Sequence, residues 1–304
     1  MKPNPLTSKA PPRDNRLFLF CDLDGTLTPY GEPEGTPGAY PMFRRLAQHP
    51  EIVLAYVTGR TLPSAKEVIT RHGLPLPHYL VGDVGATMEQ QENGQFVPMP
   101  AWSEVIARDW PSVTGADIIT FLQKLPEIRP QEPDFQNRHK ACFYTAYDAD
   151  GSMLVNRVRT ELLPLRIRSQ VEWSRDDLRQ VGYLDILPLG AGKLGAVRWL
   201  LSQAGISEEQ ALFAGDSGND LPVFTSGLRC VMPRNGQESV RREAFAALEK
   251  RERGLSRRFY QSQGGFLGCD GYVLGGTLEG IAAHFPQTRE WMSIPKPLKG
   301  TSKN

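Results

Sequence analysis

Cysteine is scarce in this 304-residue sequence, and the four present (Cys21, Cys142, Cys230, Cys269) are scattered, with no C-x-x-C pair. That excludes a disulfide framework and a cysteine zinc site, and a reduced, cytoplasmic protein is the simplest fit. The five histidines show no metal-ligand spacing, so His139 and the others are given no role. No apolar run approaches the roughly 18 residues needed to span a bilayer, so no membrane partner is expected. The first fifteen residues, MKPNPLTSKAPPRDN, lack the apolar stretch of a secretory signal and read as a flexible tail. Excess charge of one sign is missing too: 35 Lys+Arg against 34 Asp+Glu leave a net +1. A molecule-wide polyanion-binding surface is therefore excluded, and no nucleic-acid partner is expected. There is no internal repeat.

What remains is an ordinary globular composition, 40% hydrophobic and 23% charged, long enough for two domains of roughly 150 residues. Short apolar runs that end in polar, glycine-containing clusters give the chain its organisation. Leu17–Cys21 leads into Asp22-Leu23-Asp24-Gly25-Thr26, Ile52–Val57 into Thr58-Gly59-Arg60, and Ala211–Ala214 into Gly215-Asp216-Ser217-Gly218-Asn219-Asp220. Such runs read as buried parallel strands, and helix-like stretches at Pro63–Arg71 and Leu194–Ala204 lie between them. The pattern predicts a doubly wound parallel α/β sheet, whose ligands bind at the carboxyl ends of the strands. Further along, a strand is expected at Arg229–Met232 and helices at Gln237–Arg251 and Leu278–His284. The middle of the chain is richer in Pro, Trp and charge. Its runs at Ala141–Thr145 and Leu165–Val171 predict antiparallel strands in an inserted domain, hinged near Gly82–Gly85 and Pro188–Gly192.

Each cluster has a chemical reading and a plainer one. With Asp22 and Asp24 at a strand end, one carboxylate can attack while the other moves a proton, and Gly25 permits the tight turn. The same residues also read as a solvated turn. Asp216 and Asp220 suit a hard divalent cation such as Mg²⁺, or equally a helix N-cap. Thr58 and the amide of Gly59 can hold a phosphate oxygen, or Thr58 can simply cap a helix. Lys193, at the glycine-rich entrance to a helix, can act as a point charge on a phosphate or a nucleophile; alone it is an ordinary lysine.

In this order, Asp22–Thr26, Thr58–Arg60, Lys193 and Gly215–Asp220 resemble the haloacid dehalogenase superfamily of phosphohydrolases. Leu54–Arg60, Pro233-Arg234-Asn235-Gly236-Gln237 and Gly275-Gly276-Thr277-Leu278-Glu279-Gly280-Ile281 add a resemblance to the sucrose-phosphatase family over residues 16–286. The resemblance is strong in the core and weak in the cap. It implies a doubly wound core at residues 16–87 and 188–288, an inserted α/β cap at 88–187 and a flexible tail at 289–304. It also implies that Asp22 is the nucleophile and Asp24 the general acid/base, with Thr58, Gly59 and Lys193 on the phosphate. Mg²⁺ is implied on Asp22, Asp24, Asp216 and Asp220, supported by Ser217 and Asn219.

The implied substrate is a sugar phosphate, sucrose 6-phosphate first, and the candidate protein partner is a cognate synthase. In the cap, Trp102, Trp110 and Trp173 are candidate stacking surfaces for a sugar. Lys140, Tyr144 and Arg60 are candidates for its hydroxyls. Where the family has a Gly-Ser/Thr-Glu-Ile turn, this chain has Gly85-Ala86-Thr87-Met88, which bears on the sugar because the loop borders the cap. Mannosylfructose, glucosylglycerol or trehalose phosphate, a sugar phosphomutase, and an inactive sugar-phosphate sensor are the alternatives. A monomer is expected.

Overall fold

The computed structural model describes residues 15–31 and 33–293. Residues 1–14 of the expected N-terminal tail and 294–304 of the C-terminal one lie outside the described residues. The chain begins with β1 (Leu17–Cys21), α1 (Ala39–Ala47), β2 (Ile52–Val57), α2 (Leu62–Arg71) and β3 (Tyr79–Gly82). It continues through β4 (Thr87–Glu92), β5 (Gln95–Pro98), α3 (Pro100–Ala107), α4 (Gly115–Leu122), β6 (Arg129–Pro130) and β7 (Ala141–Thr145). Next come α5 (Gly151–Leu162), β8 (Ser169–Asp176), β9 (Val181–Pro188), α6 (Gly192–Ala204) and β10 (Ala211–Ala214). The last elements are α7 (Leu221–Phe224), β11 (Arg229–Met232), α8 (Glu238–Arg251), β12 (Phe259–Gln261), α9 (Val273–His284) and α10 (Thr288–Met292).

Among the described residues, eight strands form one sheet in the order β12-β11-β10-β1-β2-β3-β4-β5. From β12 to β3 every pairing is parallel. All five residues of β1 are buried, which explains their unbroken apolar run. Alternate side chains go to opposite faces. Phe18 and Phe20 join Val53, Ala55 and Phe213 under α6, α8 and α3. Leu19 and Cys21 join Leu54, Tyr56 and Leu212 under α1, α2 and α9. Each fully buried Leu or Phe contributes about 2 kcal/mol of transfer free energy, so two such layers fix the sheet that presents the polar loops. The order and the two-sided cover make the core doubly wound, as expected.

A second, antiparallel sheet, β6-β7-β9-β8, carries its own core of Ile118, Leu122, Phe143, Leu154, Val158, Leu184 and Ile186. This sheet and the helices packed on it, α4 and α5, lie within residues 110–188. The expected boundaries differ in three places. Residues 88–98, assigned to the insertion, extend the first sheet, because β4 turns back antiparallel on β3 and carries β5 with it. Helix α3 also stays with the first sheet, through buried Trp102 and Ile106. The insertion instead leaves the core beside its own return, where the backbone N–H of Gly190 donates to the Asp109 carboxylate (2.7 Å).

Residues 289–293, expected in a flexible tail, form most of α10 and its C-terminal cap. Arg45 donates twice to the Met292 carbonyl (2.8 and 2.6 Å), and Trp291 stacks on His49. The strand expected at Leu165–Val171 starts only at Ser169, after a 3-10 turn at Leu163–Leu165 and left-handed Arg166 (φ 52°). No helix of the described residues is long and apolar enough to cross a membrane.

Candidate active site

The ends of β1, β2 and β10 and the start of α6 converge on one point. The backbone N–H of Asp22 donates to the Ala214 carbonyl (2.9 Å), so the turn after β1 starts in register with the turn after β10. Asp22 is 4% exposed; its Oδ1 accepts the Leu23 N–H (2.8 Å) and its Oδ2 accepts from Lys193 Nζ (2.9 Å). Lys193, fully enclosed, also donates to Asp220 Oδ1 (2.6 Å). The other Asp220 oxygen accepts the N–H groups of Asp216 (2.9 Å) and Ser217 (3.1 Å). Asp220 thus fixes the loop and the lysine at once. Expected as a direct metal ligand, it has both oxygens already engaged.

Asp216 is different. Among the described residues, its carboxylate accepts a hydrogen bond only from the Thr26 hydroxyl, at 3.3 Å. Gly25, with φ +68°, lies so close that a Cβ there would sit 2.2 Å from Asp216 Oδ2. A glycine is required both for the left-handed turn and for this approach. One oxygen each from Asp22, Asp216 and Asp220 lie within 4.8 Å of one another. Burial, then the charges of Asp220 and Asp22, holds the Asp216 carboxyl well above its ordinary range. Asp22 is pushed up to about 6 by burial, against the pull of Lys193. Burial works to lower the Lys193 ammonium, but Asp22 and Asp220 outweigh it and raise it. Three close carboxylates facing one ammonium leave unbalanced negative charge, and an all-oxygen set of this kind fits a hard divalent cation.

Asp24 turns away from this trio. Its two oxygens accept from Arg60 Nε (2.6 Å) and Nη2 (2.7 Å), and Arg60 Nη1 donates to Ser64 (2.8 Å). Arg60, expected on a sugar hydroxyl, is therefore committed to Asp24. Thr58 is buried with its hydroxyl accepting the Arg60 N–H (3.2 Å). Asn219 Nδ2 lies 3.3 Å from where a Gly59 Cβ would be, and its Oδ1 accepts from Ser217 Oγ (3.3 Å). Of the phosphate and metal residues expected from sequence, the side chain of Asp24 is held apart by Arg60; Thr58, Gly59, Ser217 and Asn219 line one cleft; and Asp22, Asp216, Asp220 and Lys193 are brought together at one point.

Above it lies a cleft of about 670 Å³, walled on one side by the core loops and on the other by the second sheet. Lys140 and Tyr144, candidates for the sugar hydroxyls, line it, and the Tyr144 hydroxyl donates to Glu132 (2.6 Å). Trp102 does not line it. It is 1% exposed, tilts against Trp199, and donates its indole N–H to the Gly85 carbonyl (2.9 Å). Trp110 is equally buried and donates to Ser169 Oγ (2.9 Å). Trp173 donates to Thr145 Oγ1 (3.0 Å) and packs on the second core. All three rings are held by packing and an N–H bond, which corrects their expected role as sugar-stacking surfaces.

Other residues of the site went unassigned in the sequence. Asn235 donates to the Gly25 carbonyl (2.7 Å) and accepts the Val273 N–H (2.8 Å), tying the β1 turn to α9. It lies in the Pro233–Gln237 segment, a usable signal. Gln237 Nε2 donates to the Arg175 carbonyl (3.1 Å) and to Asp177 (3.3 Å). The Tyr30 hydroxyl donates to Asp176 Oδ2 (2.6 Å), which also accepts from Tyr183 (3.2 Å). The tip of the β8–β9 hairpin is thereby clasped to the core on both sides of the cleft. No local motif marks a pairing 146 residues apart.

The profile of the Sucrose-6F-phosphate phosphohydrolase family matches residues 15–266. A Nitrosococcus oceani protein assigned only to the HAD-like hydrolases is 40% identical over 277 residues, 91% of this chain and 74% of its own length. Mannosylfructose-phosphate phosphatase of Agrobacterium fabrum is 26% identical, over 68% of this chain and 78% of its own. Sucrose-phosphatase 1 of Nicotiana tabacum is 30% identical over 77% of this chain, and the match spans about half (53%) of that protein. In fold, the chain is similar to the sucrose-phosphatase of Synechocystis sp., solved with sucrose and phosphate. The TM-score is 0.69 at 24% identity, covering 88% of this chain and 98% of that one.

Proposed function

The chain belongs to the sucrose-6F-phosphate phosphohydrolase family, and on that premise we propose that it is a Mg²⁺-dependent phosphatase of a sugar monophosphate, sucrose 6-phosphate first. The observation that carries this reading is the buried Asp22–Lys193–Asp220 chain with Asp216 beside it, facing a cleft of about 670 Å³. Asp22 attacks phosphorus in line. Lys193, hydrogen-bonded to Asp22 Oδ2, keeps that carboxylate oriented and meets the phosphoryl charge as it arrives. The Thr58 hydroxyl and the loop amides after β2 hold the phosphoryl oxygens. Asp24 protonates the departing sugar oxygen, then takes a proton from the water that hydrolyses the aspartyl phosphate. Asp22, Asp216 and the carbonyl of Asp24 are the groups that would hold Mg²⁺, which when bound offsets the negative charge of the phosphoryl group. Positioning and charge supply most of the rate in such chemistry.

The test is phosphate release by the purified protein with Mg²⁺ across a panel of sugar phosphates, with Asp22→Asn and an EDTA-treated sample beside it. The expected result is turnover of a disaccharide phosphate that falls by roughly a thousandfold or more in Asp22→Asn and is lost on chelation. Near-normal turnover by Asp22→Asn overturns the reading.

A further inference from the structure

The tip of the β8–β9 hairpin rests on two core segments, and each is tied by its backbone to a loop that carries a proposed cation ligand. Asp176 organises the tip. Its Oδ1 accepts the N–H groups of Leu178 (3.0 Å) and Arg179 (2.9 Å), while its Oδ2 accepts from the Tyr30 hydroxyl. Although it stands at a hairpin end, Asp176 is 8% exposed. The Leu178 side chain lies 3.6 Å from where a Gly31 Cβ would be, so the tip covers Tyr30 and its neighbour together. Tyr30 follows the turn that begins at Asp22. Two residues before it, the Thr28 carbonyl accepts the Gly25 N–H (2.8 Å) and closes that turn.

Gln237 supplies the second tether and acts twice. Its side chain holds the tip through the Arg175 carbonyl and Asp177. Its backbone N–H donates to the Asp216 carbonyl (2.8 Å), while the Asp216 N–H donates to Asp220. The backbone of Asp216 is thus held on both sides, on one of them by the residue that holds the hairpin. Between the two tethers Ser174 packs over Gly218, its Cβ 3.2 Å from where one on that glycine would be.

Oxygens of Asp22, Asp216 and Asp220 lie within 4.8 Å of one another, and like charges this close repel. Their loops therefore gain from any support outside the cluster. A docked tip supports them by bridging the turn after β1 to the start of α8, and a cation supports them by drawing the carboxylates together. Two events that favour the same arrangement favour each other, by one factor in both directions.

We propose that Tyr30 and Gln237 are positioning residues that couple cation binding at Asp22 and Asp216 to docking of the hairpin tip. Both act on the backbone of the cation loops rather than as ligands. The inference deepens the function proposed above and rests on its cation site. It makes Mg²⁺ affinity depend on contacts with the second sheet, and makes the order of the hairpin depend on Mg²⁺.

The experiment reads both directions on the full chain, with Mg²⁺ itself as the probe. Tyr30→Phe and Gln237→Ala remove the two tethers without altering charge, so a change in affinity is not a change in electrostatic attraction. Calorimetry is expected to show Mg²⁺ binding weakened about tenfold in the double variant, a common size for such coupling. Tyr30→Phe alone deletes one oxygen and leaves every backbone contact; it is expected to weaken binding about threefold and decides the matter where the double variant fails to fold. In the reverse direction, trypsin cleaves after Arg179, whose side chain is exposed, and the fragments are read by mass. Saturating Mg²⁺ is expected to slow this cleavage about tenfold in the wild type and to leave it unchanged in the double variant. Wild-type affinity in the folded variants, or tip cleavage at one rate with and without Mg²⁺ in the wild type, overturns the coupling alone. A wild-type chain that binds no Mg²⁺ overturns the proposed function along with it.

Discussion

Asp24, proposed for proton transfer, is held by two hydrogen bonds from one guanidinium, while Asp22, the proposed nucleophile two residues earlier, shares a lysine with Asp220. That difference fits the separate tasks proposed for Asp22 and Asp24. The proposed function makes Arg60 a positioning residue for Asp24, and the split between kinetic constants tests it. Arg60→Ala is expected to lower kcat about tenfold or more with a smaller change in KM, since general acid–base catalysis is worth 10²–10⁴-fold. A rise in KM with kcat unchanged would restore Arg60 to the sugar. Gly25 gives a second test at this scale. Gly25→Ala drives a Cβ into Asp216 from a backbone that disfavours any side chain, so Mg²⁺-dependent turnover is expected to fall at least about a hundredfold. The residue types at the centre were legible because each ends a strand or opens a helix within a few positions of its neighbours. What Arg60 touches was not legible, since Asp24 lies beyond the end of another strand, 36 residues away.

The turn between β3 and β4 lies within the core and packs on the start of α6. Asp83, Val84 and Gly85 have φ of 53°, 57° and 102°, a run of left-handed backbone that only the surrounding structure can hold. A Cβ on Gly85 would lie 2.3 Å from the Gly192 carbonyl at the start of α6. Gly85→Ala is therefore expected to destabilise the fold by more than about 2 kcal/mol, read from chemical denaturation, because backbone atoms on both sides cannot yield. Trp102 caps the same turn through its indole N–H. Trp102→Phe is expected to cost about 1–2 kcal/mol of stability and leave the KM for a sugar phosphate unaltered, whereas a stacking role demands a higher KM. The parallel strands were legible from their continuous apolar runs, and β1, β2, β10 and β11 keep their expected bounds. β4 and β5 misled because Thr87–Glu92 is polar apart from Met88, and Gln95–Pro98 is a short, mostly exposed strand at the sheet edge. The tryptophans misled because composition cannot tell a ring that lines a cleft from one that fills a core.

Across the whole molecule, buried charge makes stability depend on pH. Glu172 titrates in the ordinary carboxylate range when unfolded and near 8 when folded, so between those values the native state holds the extra proton. Stability is then greatest below the unfolded value and falls as pH rises toward 8. Thermal melts from pH 5 to 8 should show a decline of about 5 °C or more, to which buried Asp22 and Asp216 also contribute, and Glu172→Gln removes part of it; an identical decline in the variant rejects the assignment. The two-part organisation was legible as a change of composition along the chain, but the limits of the insertion were not, since the Asp109–Gly190 bond joins positions 81 apart. That doorway has a consequence for descent as well as for folding. A module that departs and returns through one hydrogen-bonded pair can be lengthened, shortened or exchanged without stretching the sheet beneath it. Changes confined to the second sheet can therefore alter what the cleft admits while the loops after β1, β2 and β10 keep their places.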